Sequence, residues 1–587
     1  MPSFPSFTAN ALQVLERRYL RKDENGRTVE DPDQMLRRVA ADVAGVNERY
    51  GDRRGEEEEF YNAMRSLEFL PNSPTLMNAG TEIQQLSACF VIPVEDSIES
   101  IYDAVKFGAM VQQTGGGVGY SFSRLRPEGD QVRSTGGVAS GPVSFMRVFN
   151  AATEAIKQGG RRRGANMGVL RVDHPDIERF IRAKDDLTSF SNFNISVAVT
   201  DRFMESAARG EEYDLINPRN GKAVRSMSAS RILDRMATSA WRGGDPGVLF
   251  IDTVNRHNPT PGLGAIEATN PCGEVPLLPF EACNLGSVNL DRMFSGDRID
   301  WDKLGATVDL GVRFLDNVID ATRFPLPQTE VVVRGNRKIG LGVMGFADML
   351  VRLNLRYGSK ASMELAGRLI TFVRQRADAT SRAIAESRGS FPNIDRSAIR
   401  GPCRNATVLS IAPTGTISMI AGCSSGIEPY YAISYSRNVL EGQHLEEVQP
   451  LFLSIARQRG FLERGLLERI ERSHSLQDIE EVPADVREVF VTAHDIPAID
   501  QIDLQATFQE HVDNAVSKTI NLPADASWHD VRKIIVHAHA RGCKGITVYR
   551  EGSKPGQVLT TIMEASCPTC RRLMRAEEGA LQCEHCG

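Results

Sequence analysis

Apolar residues in the first sixty positions recur at helical spacing. Ala9, Leu12, Val14, Leu15, Tyr19 and Leu20 fall on one stripe, followed by the polar turn Lys22-Asp23-Glu24-Asn25-Gly26. The acidic run Glu56 to Glu59 is expected to be a solvated helix face. From about residue 65 to 555 the pattern changes. Short β-rich apolar runs at 195–199 (ISVAV), 339–343 (IGLGV), 407–411 (TVLSI) and 545–549 (GITVY) alternate with longer amphipathic stretches. Such alternation predicts a mostly parallel α/β architecture. One amphipathic helix is expected to open at Asp96, with Ile101, Ala104, Val105 and Gly108 on one face, and a second to run from about 142 to 157. Beyond Gly552-Ser553-Lys554-Pro555-Gly556, a flexible linker by composition, lies a cysteine-rich tail. The pattern divides the chain into a helical segment (1–62), an α/β domain (63–555), and a linker with a small tail (556–587), with no internal repeats.

Composition narrows the class. The chain has 587 residues, 41% hydrophobic and 25% charged, with a net charge of -6 and a pI near 6.0. These values are ordinary for a soluble globular protein and argue against a bulk nucleic-acid or membrane-surface binder. No apolar run approaches the roughly 18 residues of a membrane span, and no charged-then-apolar leader opens the chain, so a cytoplasmic location is expected. The ten cysteines are too sparse for a secreted disulfide scaffold. Cys403, Cys423 and Cys543, each alone in its segment, read as small packing residues.

The chemistry concentrates in Asn270-Pro271-Cys272-Gly273-Glu274, with Cys283 eleven positions after Cys272 and Cys89 far upstream. An amide, a thiol and a carboxylate within five residues, held out of regular structure by Pro and Gly, can face one substrate. Residues 407–418 (TVLSIAPTGTIS) read as a strand, a Pro413-Thr414-Gly415 turn and a helix start. There, backbone N–H groups and the hydroxyls of Thr414, Thr416 and Ser418 offer an anion site. Residues 71–80 (PNSPTLMNAG) form a second turn with the hydroxyls of Ser73 and Thr75. A loop Gln158-Gly159-Gly160-Arg161-Arg162-Arg163-Gly164 places three arginines where they can bind a polyphosphate. The glycine-rich stretch 114–119 has no dinucleotide fingerprint and is given no cofactor role. In the tail, Cys567-x-x-Cys570 and Cys583-x-x-Cys586 have the spacing of a four-cysteine zinc ribbon, and a mobile redox dithiol is the alternative.

Residues 270–290 (NPCGEVPLLPFEACNLGSVNL) resemble the cysteine-bearing finger loop of ribonucleotide reductase catalytic chains, and further motifs from about residue 10 to 555 match in the same order. The resemblance implies a ten-stranded α/β barrel around a central finger loop, with an N-terminal helical segment and a zinc-ribbon-like tail. It implies reduction of ribonucleoside diphosphates to deoxyribonucleotides for DNA synthesis. Cys272 would be the thiyl residue, Glu274 the general base, Asn270 a holder of the ribose hydroxyls, and Cys89 with Cys283 the reducing pair. Substrate phosphates would meet Ser73, Thr75, Ala88, Pro413, Thr414, Gly415, Thr416, Ile417 and Ser418. A deoxynucleotide or ATP effector would sit at a homodimer interface against Asp96, Lys157 and Arg162, and the loop 186–194 (DLTSFSNFN) would relay its identity. The motifs IAPTGTIS, CSSGIEP and RGCKGITVYREGS look most like the adenosylcobalamin-dependent class. The alternative is a chain that receives its radical from a separate metallo-subunit. That relay uses adjacent tyrosines on a late strand, where this sequence has Val548 before Tyr549. Thioredoxin or a similar dithiol is the implied reductant, and a tail ending at Gly587 would leave that dithiol to act more directly. A chain opening on the helical segment implies no ATP-binding cone and no overall control by dATP.

Overall fold

The computed structural model describes residues 7–50, 53–132, 136–157, 164–439, 443–463, 465–471, 473, 475–554, 559–560, 574–577 and 580–583. The helical stripe at the N-terminus breaks into a short helix Ala9–Val14, a wider turn Leu15–Tyr19, and helices Pro32–Ala44 and Arg53–Arg65. Asp31 and Gln34 close a reciprocal cap on Pro32–Ala44. The acidic run is not simply solvated. Glu56 and Glu59 both accept from Arg313 on helix Trp301–Ala321, at 2.9 and 2.6 Å, which ties the helical segment to the rest.

Ten strands form the central sheet. Strands Cys89–Val91, Gly117–Ser121, Asn166–Arg171, Phe193–Val199 and Gly247–Phe250 run parallel to one another. Ala282–Asn289 runs parallel to Ile339–Met344, and Thr519–Leu522 parallel to Gly545–Arg550. Two antiparallel seams join these sets, Gly247–Phe250 to Gly545–Arg550 and Cys89–Val91 to Ala282–Asn289. The parallel bridges Leu341↔Leu409 and Ile411↔Val516 close the circuit. The result is a barrel of two parallel halves, with strand Phe69–Pro71 added antiparallel to Ala282–Asn289.

The apolar run at 407–411 contributes to this ring without forming a regular strand. The Asp513 carboxylate accepts from the backbone N–H of Val408 and Leu409 at 2.9 and 3.0 Å, occupying donors that a ladder would use. The other three runs are strands, each extended by one or two residues. The continuous hydrophobicity of the first two follows from burial on both faces, whereas Gly545–Arg550 has Thr547 exposed between buried Ile546 and Val548. Phe90, Val118, Leu170, Val248 and Phe250 face outward into the core under the helices. The alternate positions Cys89, Val91, Val169, Leu249, Cys283 and Leu285 form a separate cluster with Val275 and Leu277. Two of the implied redox cysteines therefore belong to the inner layer. Among the described residues, no helix is long and apolar enough to cross a membrane.

Candidate active site

A hairpin enters the barrel. Ala268–Thr269 pairs antiparallel with Pro276–Leu277, and residues 270–275 form its tip. The backbone passes so close to strand Gly117–Ser121 that a Cβ on Gly119 would lie 1.9 Å from the Thr269 carbonyl oxygen. One on Gly117 would lie 3.0 Å from the Pro271 ring. This explains the glycine-rich stretch that suggested no function from sequence: it is the bed on which the hairpin lies. Gly119→Ala is expected to lower unfolding stability by about 3 kcal/mol or more, since backbone must move, and to abolish activity. Chemical denaturation against the parent chain checks this.

Within the tip, Asn270 is the hub. Its Nδ2 donates to Glu274 Oε2 at 2.7 Å and to Cys89 Sγ at 3.1 Å, while its Oδ1 accepts the Val275 N–H at 2.9 Å. Asn270 and Glu274 are both buried. The Glu274 carbonyl is pinned from across the barrel by Ser410 Oγ at 2.9 Å and the Ala515 N–H at 2.8 Å. Gly273 turns the tip with φ +82°, and Cys272 beside it is exposed.

Cys89 and Cys283 are direct register partners across the antiparallel seam. Opposed residues in such a ladder have Cα atoms about 4.5–5.5 Å apart, inside the reach of a disulfide. Both are thiols here. Burial pushes the Cys283 thiol up, and Glu274 and Glu281 add to the shift, while Lys338 opposes it. The structure thus brings Asn270, Glu274, Cys89 and Cys283 to one place, with Cys272 at the adjoining surface.

Cys272 opens into a cavity of about 600 Å³, a size suited to a small ligand. Its wall includes Ser418, Cys423, Tyr430, Tyr431, Tyr435 and Tyr549. The lone cysteines separate here: Cys543 is packed in the core, Cys403 is half-buried, and Cys423 lines the cavity. The tyrosine rings of this wall suit a partly apolar ligand.

The two segments expected from sequence to bind phosphate also meet this region. Helix Ile417–Ala421 packs beside Phe69–Pro71, which leads into helix Ser73–Asn78. Asn72 caps that helix by accepting from Thr75 N at 2.9 Å, and Thr75 Oγ1 donates to Leu86 O at 3.0 Å, with Ala88 and Cys89 following. Ser73 Oγ is 2.7 Å from Tyr19 Oη. At the other turn, Thr414 sits at φ +52° and its hydroxyl accepts from Gly426 N at 2.7 Å. Pro413, Gly415 and Thr416 carry the chain from that strand position to Ile417, and Ser418 Oγ lies 2.9 Å from Ser425 Oγ.

Of the residues expected to hold an effector, Asp96 alone is described with its side chain. Ser97, not Asp96, caps helix Ile98–Gln113. Asp96 instead receives Arg126 Nε at 2.8 Å, from the segment after strand Gly117–Ser121. Helix Pro142–Lys157 has the expected bounds. The Lys157 side chain and Arg162 lie outside the described residues. The loop 186–194 ends on Asn194, whose Nδ2 donates to the Pro271 carbonyl at 2.8 Å. That contact, one residue from Cys272, has no signal in the sequence.

Among the described residues, no group of side chains could hold a metal ion. Cys567, Cys570 and Cys586 lie outside the described residues, as does the Cys583 side chain. The backbone there forms an antiparallel hairpin of Met574–Glu577 with Ala580–Cys583.

Comparison with known proteins converges on one family. The ribonucleotide reductase barrel-domain profile matches residues 87–403 and 399–549, and the ribonucleotide reductase all-alpha-domain profile matches 5–84. A vitamin B12-dependent ribonucleoside-diphosphate reductase of Mycobacterium tuberculosis is 50% identical over 556 residues, covering 94% of this chain and 80% of that one. A Thermoplasma acidophilum protein of the same name is 45% identical over 617 residues, covering 94% and 80%. In fold, the chain matches the Actinobacillus ureae class Id ribonucleotide reductase alpha subunit with a TM-score of 0.77 at 22% identity, covering 93% of this chain and 97% of that one.

Proposed function

The chain belongs to the ribonucleotide reductase family, and on that premise we propose that it reduces ribonucleoside diphosphates to 2'-deoxyribonucleoside diphosphates by an adenosylcobalamin-initiated thiyl-radical mechanism. The observation that carries this reading is the convergence of Asn270, Glu274, Cys89 and Cys283 behind Cys272, which faces the cavity. The names of the relatives at 50% and 45% identity support the cofactor and the diphosphate level.

A ribose 2'-hydroxyl is a poor leaving group, and radical chemistry at the neighbouring carbon lowers that barrier. Adenosylcobalamin, when bound against the tyrosine wall, supplies the one-electron chemistry that removes the Cys272 hydrogen. Cys272 Sγ then takes the 3'-hydrogen. Glu274 accepts the 3'-hydroxyl proton across a hydrogen bond of about 2.6–3.2 Å, and Asn270 holds the ribose hydroxyls. The Cys89 and Cys283 thiols supply two electrons and two protons, one proton departing with the 2'-hydroxyl as water and the other hydrogen ending on the 2'-carbon, and they end as a disulfide. Cys272 returns hydrogen to the 3'-carbon. Burial of Glu274, Cys89 and Cys283 keeps water from the proton and electron transfers behind Cys272.

The same reading assigns the substrate diphosphate to the segments of Ser73, Thr75 and Ser418. It assigns the specificity effector to a homodimer interface including Asp96, Lys157 and Arg162. Thioredoxin or a related dithiol renews the cysteine pair. The spacing of Cys567, Cys570, Cys583 and Cys586 around a hairpin supports a structural zinc in the tail. The helical segment 1–62, the barrel 63–555 and the tail 556–587 are its three parts, working in the cytoplasm.

The test is deoxynucleotide formation by the purified chain from CDP and from CTP, with adenosylcobalamin, dithiothreitol and a deoxynucleotide mixture. The expected product is dCDP. Conversion of CTP alone would overturn the diphosphate assignment.

A further inference from the structure

Two residues before Cys283, Glu281 is buried with Lys338, and their side chains are 1% and 2% exposed. Lys338 Nζ donates to Glu281 Oε2 at 2.7 Å. The same carboxylate accepts the Leu278 N–H at 2.7 Å and Asn336 Nδ2 at 2.6 Å. Neither ionised side chain touches substrate in the mechanism above. A pair so enclosed gains little net stability, because desolvation offsets its attraction. Its position suggests a different role.

Strands Ala282–Asn289 and Ile339–Met344 run parallel, and their register begins at Asn284↔Ile339. Cys283 and Lys338 each immediately precede that first pair. The strand that Lys338 leads into presses on the thiol, since a Cβ on Gly340 would lie 3.5 Å from Cys283 Sγ. The charged groups acting on Cys283 are Lys338, Glu274 and Glu281, and Lys338 is the one that favours the thiolate. Cys89 meets it from the opposite strand.

We infer that Lys338, held in place by Glu281, is the positioning residue that stabilises Cys283 as the leaving thiolate when the Cys89–Cys283 disulfide is reduced. The inference rests on the proposed role of those two cysteines as the reducing pair. The incoming reductant is a dithiol. One of its thiolates attacks Cys89 Sγ, the less deeply buried sulfur. A mixed disulfide forms, the Cys89–Cys283 bond breaks, and its electron pair leaves on Cys283 Sγ. The second thiolate of the reductant then displaces Cys89, closing the reductant's own disulfide. The two protons that the dithiol gave up finish on the two cysteines. The bond to Cys283 breaks faster when its thiolate is less basic, and a buried ammonium alongside lowers that basicity.

The test uses the full chain, with dithiothreitol as the dithiol. Prereduced chain is first allowed one turnover on CDP with adenosylcobalamin and no reductant, and its disulfides are mapped. Absence of a Cys89–Cys283 disulfide in the parent chain would defeat the reducing-pair reading, and the inference with it. Where the disulfide forms, its reduction rate is then compared with that of the Lys338→Met/Glu281→Gln double variant, which removes both buried charges while keeping their shapes. Losing Glu281, which disfavours the thiolate, offsets part of the loss of Lys338, so the double variant is expected to form the same disulfide and lose it more slowly at neutral pH, by up to about threefold, the effect of roughly one unit of leaving-group basicity. Lys338→Arg, which keeps the charge on a different shape, is expected to stay within about twofold of the parent. Parental rates in the double variant, or equal slowing in Lys338→Arg, would overturn the inference. Lys338→Gln gives the same comparison if the double variant does not fold.

Discussion

Replacing Cys272 by alanine is expected to remove deoxynucleotide formation, a loss of at least about 10³-fold, while nucleotide binding stays near that of the parent chain. The two effects separate because Cys272 differs from its neighbours in structural burden. Its side chain is exposed at the hairpin tip, whereas Asn270 and Glu274 behind it are buried and bonded to one another. Truncating Cys272 therefore leaves the hub of Asn270 with Glu274, Cys89 and Val275 standing. Radiolabelled CDP binding alongside turnover makes the comparison. Appreciable multiple turnover in the variant would remove Cys272 from the thiyl role.

The second large effect is expected at the cysteine pair. Cys89→Ser or Cys283→Ser should reduce sustained thioredoxin-driven turnover by roughly 10²-fold or more, because neither variant can form the disulfide that ends each cycle. Cys89 and Cys283 are nearly two hundred residues apart in the chain and direct neighbours across the seam. Serine is close to cysteine in size, so the inner cluster of Val91, Val169, Leu249 and Leu285 keeps its packing. Product formed per chain over time reads this out. A full steady rate in either variant would remove that residue from the pair.

Much of this was legible in the sequence, for identifiable reasons. Strands buried on both faces write near-continuous apolar runs, so 195–199 and 339–343 could be read without knowing their neighbours. The cysteine loop was legible because Pro271 and Gly273 exclude regular structure around Cys272. What escaped depends on contacts between distant segments. The run at 407–411 loses strand donors to Asp513, a carboxylate about a hundred residues away. Gly117 and Gly119 are small because Pro271 and Thr269 cross them, which no local pattern records. Glu56 and Glu59 read as solvent-facing until Arg313 is seen beside them. Nothing local marks Lys338, which is enclosed with Glu281 next to Cys283. Asp96 was placed at a helix start by its spacing, and Arg126 holds it outside the cap.

The central claim is that this chain makes its own thiyl radical with adenosylcobalamin rather than receiving one from another protein. The most direct measurement is dCDP formation by the purified chain, with dithiothreitol, CDP and a deoxynucleotide mixture, in the presence and absence of adenosylcobalamin. Product that appears only with the cofactor, with no second protein added, is the predicted result. Product that requires a separate metal-containing subunit, whether or not adenosylcobalamin is present, would contradict it.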